Sequence, residues 1–422
     1  MKTSTRSILY SILYLPVYWA ARLFFRRYTV LGKERFPGSH KPVMVVSNHQ
    51  NALMDPLLCC LTAPKQMHFL TRADVFKSAI SRKFVLALNM MPVYRTHDKV
   101  DDMTGLNKLT FDVAIERLRK GAAVGIYPEG NHGNRKTLRP FKKGLARLLE
   151  SAGERHAELK SIELVAVGVD YSDYNHARSK LTVVYSAPFR VDDLLFSTDE
   201  QPVRYRKVME RIRLHLSSVM MDHPVQWYHT CRLAEALVDE MQWPERKALL
   251  TSFSGQCSDQ EAEDFLAQTD RALASVDLHP VDWVNLWKGS SPNGFLVFIS
   301  ALIAAPATIL YALPWQVALW LTKKVVRDEH FTSTFKLVFA WLLFPLWTFA
   351  ICGFVAALGT WLWGAYALLI CVAAGLIALP FFDNIADYRR TRRASSFAQQ
   401  HAERWERWKR VAEETEQVLT KS

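Results

Sequence analysis

Two apolar runs late in the chain, residues 294–321 and 337–382, constrain the fold more than any other feature. A hydrocarbon core about 30 Å thick is crossed by roughly 20 apolar residues in a helix. The second run is therefore long enough for two spans, and its charge-poor middle, GFVAALGTWLWGA, fits a tight hairpin turn. The first run is interrupted by Pro306 and Pro314. Basic residues lie before 294, between the runs (Lys323, Lys324, Arg327) and beyond 388 in RRTRR. Such flanks favour the cytoplasmic side, and three simple spans cannot place all of them there. The consistent expectation is a two-span hairpin over 337–382 with a Pro-broken, re-entrant segment over 294–321. Three spans with one weak flank is the rival reading.

A further apolar segment, SILYSILYLPVYWAARLFF at 7–25, is followed by Arg26 and Arg27. It lacks a strong basic n-region and a small-residue cleavage site, so it is not read as a signal peptide. Short for a span and carrying Pro16, it is expected to be an interfacial or half-inserted anchor. The formal net charge of +12 then points to anionic lipid headgroups or phosphorylated substrates. Nucleic acid is not expected as a partner, because most of the tryptophan-rich sequence sits in or beside apolar runs and not in a soluble basic patch. The six cysteines form no CxxC pair and no metal spacing, and they read as small hydrophobes.

From about residue 30 to 215 the pattern changes. PVMVVSN (42–48), AAVGIYP (122–128), IELVAVGVD (162–170) and KLTVVYSAP (180–188) read as short buried strands. TGLNKLTFDVAIERLRKG reads as a helix, with Leu106, Leu109, Val113, Ala114 and Leu118 at helical spacing, and FKKGLARLLESAG as a second. Strands separated by helices imply an α/β domain, a mainly parallel or mixed sheet flanked by helices. Five parts are expected: an N-terminal membrane-anchoring segment (1–29), the α/β domain (30–215), a charged helical region of no readable role (216–290), a multi-pass membrane region (291–385) and a polar helical tail (386–422). Trp405 and Trp408, one turn apart in that tail, suit a helix docking on membrane or protein.

The chemistry is concentrated in SNHQNALMDP, where His49 directly follows a buried strand and Asp55 falls near the start of a helix. A neutral imidazole can take a proton from a hydroxyl, and a carboxylate beside it fixes its tautomer. Alone, such a pair reads equally as a helix cap or a turn. Three further blocks accompany it: MPVYR ending in Arg95, IYPEGNHGNRKTLRPFKKG after a strand, and the apolar VAVGVDY.

Together, over roughly residues 30–190, these blocks resemble the glycerolipid acyltransferases, the family of lysophosphatidate and glycerol-phosphate acyltransferases. NHQNALMD resembles the family's His-to-Asp block, MPVYR the second, YPEG the third and LVAVGV the fourth. The resemblance implies that His49 and Asp55 are the catalytic pair, and that Arg95, Glu129 and Gly130 belong to the glycerol-phosphate site. A guanidinium fork suits a phosphate. Glu129 would repel one, unless it binds a hydroxyl or an arginine, and it reads equally as a turn-stabilising carboxylate.

The sequence departs from the family pattern twice. Five residues, Gln50 to Met54, separate His49 from Asp55 where four are commonest; this is similar to a branch that includes fungal glycerol-phosphate and dihydroxyacetone-phosphate acyltransferases. Asn131 and His132 replace the usual Thr-Arg after the Glu-Gly, so positive charge would come from Arg135, Arg139 or Lys142. Those three serve equally well as a solvated basic face near anionic lipid.

The expected reaction moves a fatty acyl chain from acyl-CoA or acyl-carrier protein to 1-acyl-glycerol 3-phosphate, with glycerol 3-phosphate or dihydroxyacetone phosphate as the alternative acceptor. The expected partners are thus membrane lipids, the thioester donor and a glycerol-phosphate acceptor, with the catalytic domain on the cytoplasmic face of the membrane. No bound cofactor and no metal is expected: His49, Glu129 and His132 have no HExxH or paired-His spacing. A non-catalytic lipid-binding membrane protein and a metal-dependent hydrolase are the remaining classes.

Overall fold

The computed structural model describes residues 7–76, 79–94, 101–290 and 293–421. They divide into two compact units, one of residues up to Asp222 together with Val325–Leu337, the other of His223–Lys324 and Val338–Ser422.

The first unit holds α1 (Ile8–Phe24), β1 (Arg27–Leu31), β2 (Val43–Ser47), α2 (Met54–Thr62), β3 (Met67–Arg72), α3 (Ala79–Ala87), β4 (Met90–Val93), α4 (Met103–Arg119), β5 (Ala123–Ile126), α5 (Gly144–Arg155), β6 (Glu163–Tyr171), β7 (Lys180–Tyr185), α6 (Asp192–Leu195) and α7 (Gln201–Ser218). The strands form one seven-stranded mixed sheet in the order β1-β7-β6-β2-β5-β3-β4. β6 and β7 pair antiparallel, and all other neighbours are parallel. β2 lies in the middle, with Val43 opposite Ala123 on one side and Glu163 on the other. All five of its residues are buried, as an unalternating VMVVS run requires of a strand covered on both faces. Val45, Val165, Val167, Leu181 and Val183 join Met54, Leu58 and Phe69 in the core.

The four strands expected from sequence are present. β1, β3 and β4 were not read as strands, because two are sheet edges and β3 interrupts its apolar run with His68, which is fully buried. In α4 the core face is Thr110, Ala114, Ile115, Arg117 and Leu118, while Leu109 is turned outward. α1 packs one side on this unit, with Tyr10 Oη donating to the Cys60 carbonyl and Tyr14 Oη to that of Leu61, each at 3.0 Å. Ile8, Ile12, Leu15, Trp19 and Leu23 form an exposed apolar stripe along its other side. This helix of 17 residues therefore has one side occupied and one apolar side bare.

The second unit contains α8 (Tyr228–Leu237), α9 (Trp243–Ser254), α10 (Gln260–Ser275), α11 (Pro280–Trp287), α12 (Gly294–Val325), most of α13 (Thr332–Leu358), α14 (Trp361–Gln400) and α15 (Ala402–Lys421). The polar tail packs within it: Trp408 is buried against Trp283, with ring centres 5.3 Å apart. Three helices, Gly294–Val325, Glu329–Leu358 and Trp361–Gln400, are long and apolar enough to cross a membrane. The two-residue link between α13 and α14 falls in the expected hairpin turn.

The expected break over 294–321 does not occur, since α12 is one helix of 32 residues with both prolines inside it. Pro314 has no N–H for the Leu310 carbonyl one turn earlier. Trp347 Nε1 donates to that carbonyl at 2.8 Å, so the group has a partner away from water. Asn384 donates to Ser300 Oγ at 3.2 Å and Tyr311 Oη to the Cys371 carbonyl at 3.3 Å. α12 thus runs antiparallel to α14, its start level with the end of α14's apolar stretch.

Candidate active site

β2, β5 and β6 run in the same direction, so their C-terminal ends meet at one edge of the sheet, the usual place for a site in an open α/β sheet. From β2 emerges Asn48, whose amide donates to the Val169 carbonyl at 2.9 Å and accepts from the Val169 N–H at 2.8 Å. A side chain thereby continues the ladder to β6 one step past the strand, and the backbone is released at His49.

His49 Nδ1 lies 2.9 Å from Asp55 Oδ2. That oxygen also accepts from the backbone N–H groups of Gln50 and Asn51, each at 2.8 Å, while Tyr171 Oη donates to Oδ1 at 2.7 Å. Burial, and then the neighbouring Asp55, push the Tyr171 phenol well above its ordinary range, so it remains a donor. Asp55 has no solvent exposure, and a carboxylate receiving three other hydrogen bonds accepts from the ring as well. Nδ1 therefore carries the proton and Nε2 keeps its lone pair. The extra residue between His49 and Asp55 is absorbed by a turn in which the Asp55 N–H reaches the Asn51 carbonyl at 3.2 Å.

The ring plane is set by Tyr127, stacked at 4.1 Å between centroids and 19° between planes, with Phe69 stacked behind it at 5.7 Å. Gly125 makes room for that Phe69 ring, since a Cβ there would lie 2.3 Å from it.

Glu129, 5% exposed, is turned to the protein. Its Oε1 accepts from the His49 N–H at 3.1 Å and its Oε2 from Arg139 Nε at 2.7 Å. Arg139 also donates to the carbonyls of His49, at 3.2 Å, and Asn131. Of the two readings of Glu129, the arrangement is that of a brace holding an arginine and the His49 backbone, and Arg139 is committed to the same brace. Gly130 has φ +69°, in the left-handed region, and a Cβ there would come 3.1 Å from Lys142 Cγ. Lys142 is exposed and has no carboxylate partner among the described residues; Arg135 is exposed in the same turn. Lys136, which the sequence did not single out, pairs with the buried Asp170 at 2.6 Å. Arg95 lies outside the described residues.

Part of the site comes from far along the chain. Asn51, fully buried, donates to the Tyr174 carbonyl at 2.9 Å and to Ser333 Oγ at 2.6 Å, and the Ala52 N–H reaches the His330 carbonyl at 3.1 Å. His132 stands edge-on to His49 at 5.7 Å and bonds through Nε2 to Asp328 Oδ2 at 3.1 Å. Burial holds the His132 pKa below the usual histidine value, against the opposing Asp328 bond. Nothing in the sequence spacing signals these contacts, because they pair the His49 and Glu129 blocks with a stretch between two apolar helices.

A base whose tautomer is held by a buried carboxylate, on a braced loop at the C-terminal edge of a sheet, is equipped to take a proton from a hydroxyl. Residues 27–169 match the family model Acyltransferase, and the chain carries a domain of that family. The chain is 29% identical over 120 residues to a chloroplastic 1-acyl-sn-glycerol-3-phosphate acyltransferase of Arabidopsis thaliana, a stretch covering 28% of this chain and 32% of that one. It is 28% identical over 133 residues to glycerol-3-phosphate O-acyltransferase 2 of Saccharomyces cerevisiae, covering 31% of this chain and 17% of the yeast protein. The crystal structure of the 1-acyl-sn-glycerophosphate acyltransferase PlsC from Thermotoga maritima aligns at a TM-score of 0.36 and 18% identity, over 49% of this chain and 79% of that one. The matches thus span about a third or less of the length of these curated relatives.

Proposed function

We propose that this chain is a membrane-bound O-acyltransferase that moves a fatty acyl chain from acyl-CoA or acyl-carrier protein to the free hydroxyl of 1-acyl-glycerol 3-phosphate. The observation that carries the reading is the His49 Nδ1 to Asp55 Oδ2 bond, which leaves Nε2 as the base. His49 Nε2 takes the hydroxyl proton as the alkoxide oxygen bonds to the thioester carbonyl carbon. The tetrahedral intermediate then expels the thiolate, which recovers the proton from the imidazolium. Asp55 stabilises that imidazolium without being protonated. No nucleophilic side chain, cofactor or metal enters the step. Glu129 and Arg139 hold the His49 backbone, while Arg95, Arg135 and Lys142 are the cations proposed to receive the acceptor's phosphate, so that the hydroxyl is held against the thioester. We propose the cytoplasmic face for the catalytic domain, a reading supported by the basic residues Lys323, Lys324 and Arg327 around the start of its 325–337 segment.

Glycerol 3-phosphate is the second reading of the acceptor. It is favoured by the five-residue gap between His49 and Asp55 and by the similarity to the yeast glycerol-3-phosphate O-acyltransferases. Membranes holding the full chain, given labelled acyl-CoA with one acceptor at a time, separate the two readings. Acylation of lysophosphatidate in preference to glycerol 3-phosphate supports the first, and the reverse preference replaces it with the second.

A further inference from the structure

A cluster beside His49 is unused by the proposed step. His132, on the loop after β5, and His330, on the segment Val325–Leu337, both turn toward Asp328. His132 Nε2 is 3.1 Å from Asp328 Oδ2 and His330 Nδ1 is 2.7 Å from Asp328 Oδ1, with the two ring centres 4.3 Å apart. One donor atom from each of the three residues lies within 4.8 Å of the other two. Both histidine side chains are largely shielded, at 9% and 16% exposure. His330 Nε2 is buried and has no hydrogen-bond partner among the described residues.

Two imidazoles and one carboxylate form a donor set that suits zinc and its first-row neighbours, whereas magnesium and calcium take mainly oxygen. Tetrahedral bonds of about 2.0–2.1 Å set donor atoms roughly 3.4 Å apart, so the two carboxylate-to-imidazole separations of 3.1 and 2.7 Å would open by a few tenths of an ångström to admit the cation. The summed charge of two neutral rings and one carboxylate partly neutralises a dication, and a fourth position is left for water. We propose that His132, Asp328 and His330 form a binding site for a zinc-class divalent cation, which fastens the 325–337 segment to the loop carrying Glu129 and Gly130. The cation has no place in the acyl-transfer step, and the inference stands independently of that reaction.

The test uses the full-length chain in detergent with any affinity tag removed. Cobalt(II) is followed by its visible absorption, and zinc by competition with a chromophoric chelator. One cation per chain is expected, without a thiolate-to-cobalt charge-transfer band. His330→Ala and the near-isosteric Asp328→Asn should each weaken binding by about tenfold or more, while His176→Ala, which removes a histidine that bonds to Asp173 at 2.7 Å outside the cluster, leaves it unchanged. Bound zinc should also slow hydrogen exchange across residues 328–334. Absence of saturable binding overturns the proposal. So does equal affinity in the Asp328→Asn protein, a thiolate band, or loss of binding in His176→Ala in place of His330→Ala.

Discussion

At His49 the proposed chemistry depends on which ring nitrogen holds the proton, and that choice belongs to Asp55. Asp55→Asn replaces an acceptor of four hydrogen bonds by a group with one acceptor oxygen and an unwanted donor. The acyl-transfer kcat is expected to fall about 10³- to 10⁴-fold, and the melting temperature to drop because buried donors lose their partner. A variant that keeps its rate would remove Asp55 from the mechanism. Gly130→Ala tests the brace: at φ +69° a Cβ costs about 1–2 kcal/mol and presses on Lys142. Lower thermal stability is expected, with KM for the acceptor rising more than kcat falls. The residue types at 49 and 55 were legible in the sequence because three further blocks follow in order. Asn48, Tyr127 and Tyr171 were not, because a side chain that completes a strand ladder or donates to a carboxylate across 116 positions leaves no local pattern. Glu129 was ambiguous for a related reason, since its partner Arg139 was equally plausible as a substrate contact.

At the scale of elements, continuous buried runs revealed β2, β5, β6 and β7, while the edge strands lacked that signal. The prolines of α12 were misleading, because the partner that satisfies the Leu310 carbonyl lies on another helix. Trp347→Phe removes that donor and is expected to lower stability in detergent by about 1 kcal/mol, measured by unfolding in a denaturing detergent. The 325–337 segment carries its own pH dependence. Burial opposes ionisation of Asp328, yet bonds from His330 and His132 hold its pKa down at about 2 from 3.8. A folded value below the unfolded one means that its contribution is present above about pH 4 and is lost as pH falls towards 2. Proteolysis of this segment should therefore accelerate below pH 4 in the parent, and Asp328→Asn should show the faster rate already at neutral pH. Equal rates at both pH values would deny Asp328 this role.

For the whole molecule, the net charge of +12 and three long apolar helices fit a protein that works on lipid, and α1 adds a bare apolar stripe to the first unit. The α/β class was readable from periodicity, and the turn between α13 and α14 from the charge-poor middle of the second apolar run. Docking of the tail through Trp408 and the supply of Asp328, His330 and Ser333 to the first unit were not, since both depend on contacts between distant parts of the chain. The central claim, acyl transfer driven by His49, is tested most directly with membranes containing the full chain, labelled acyl-CoA, and lysophosphatidate and glycerol 3-phosphate in separate reactions, each run beside His49→Ala. The account predicts labelled product with at least one acceptor and a fall of about 10² or more in a His49→Ala protein that melts as the parent does. Undiminished transfer by that variant, or none to either acceptor by the parent, would contradict it.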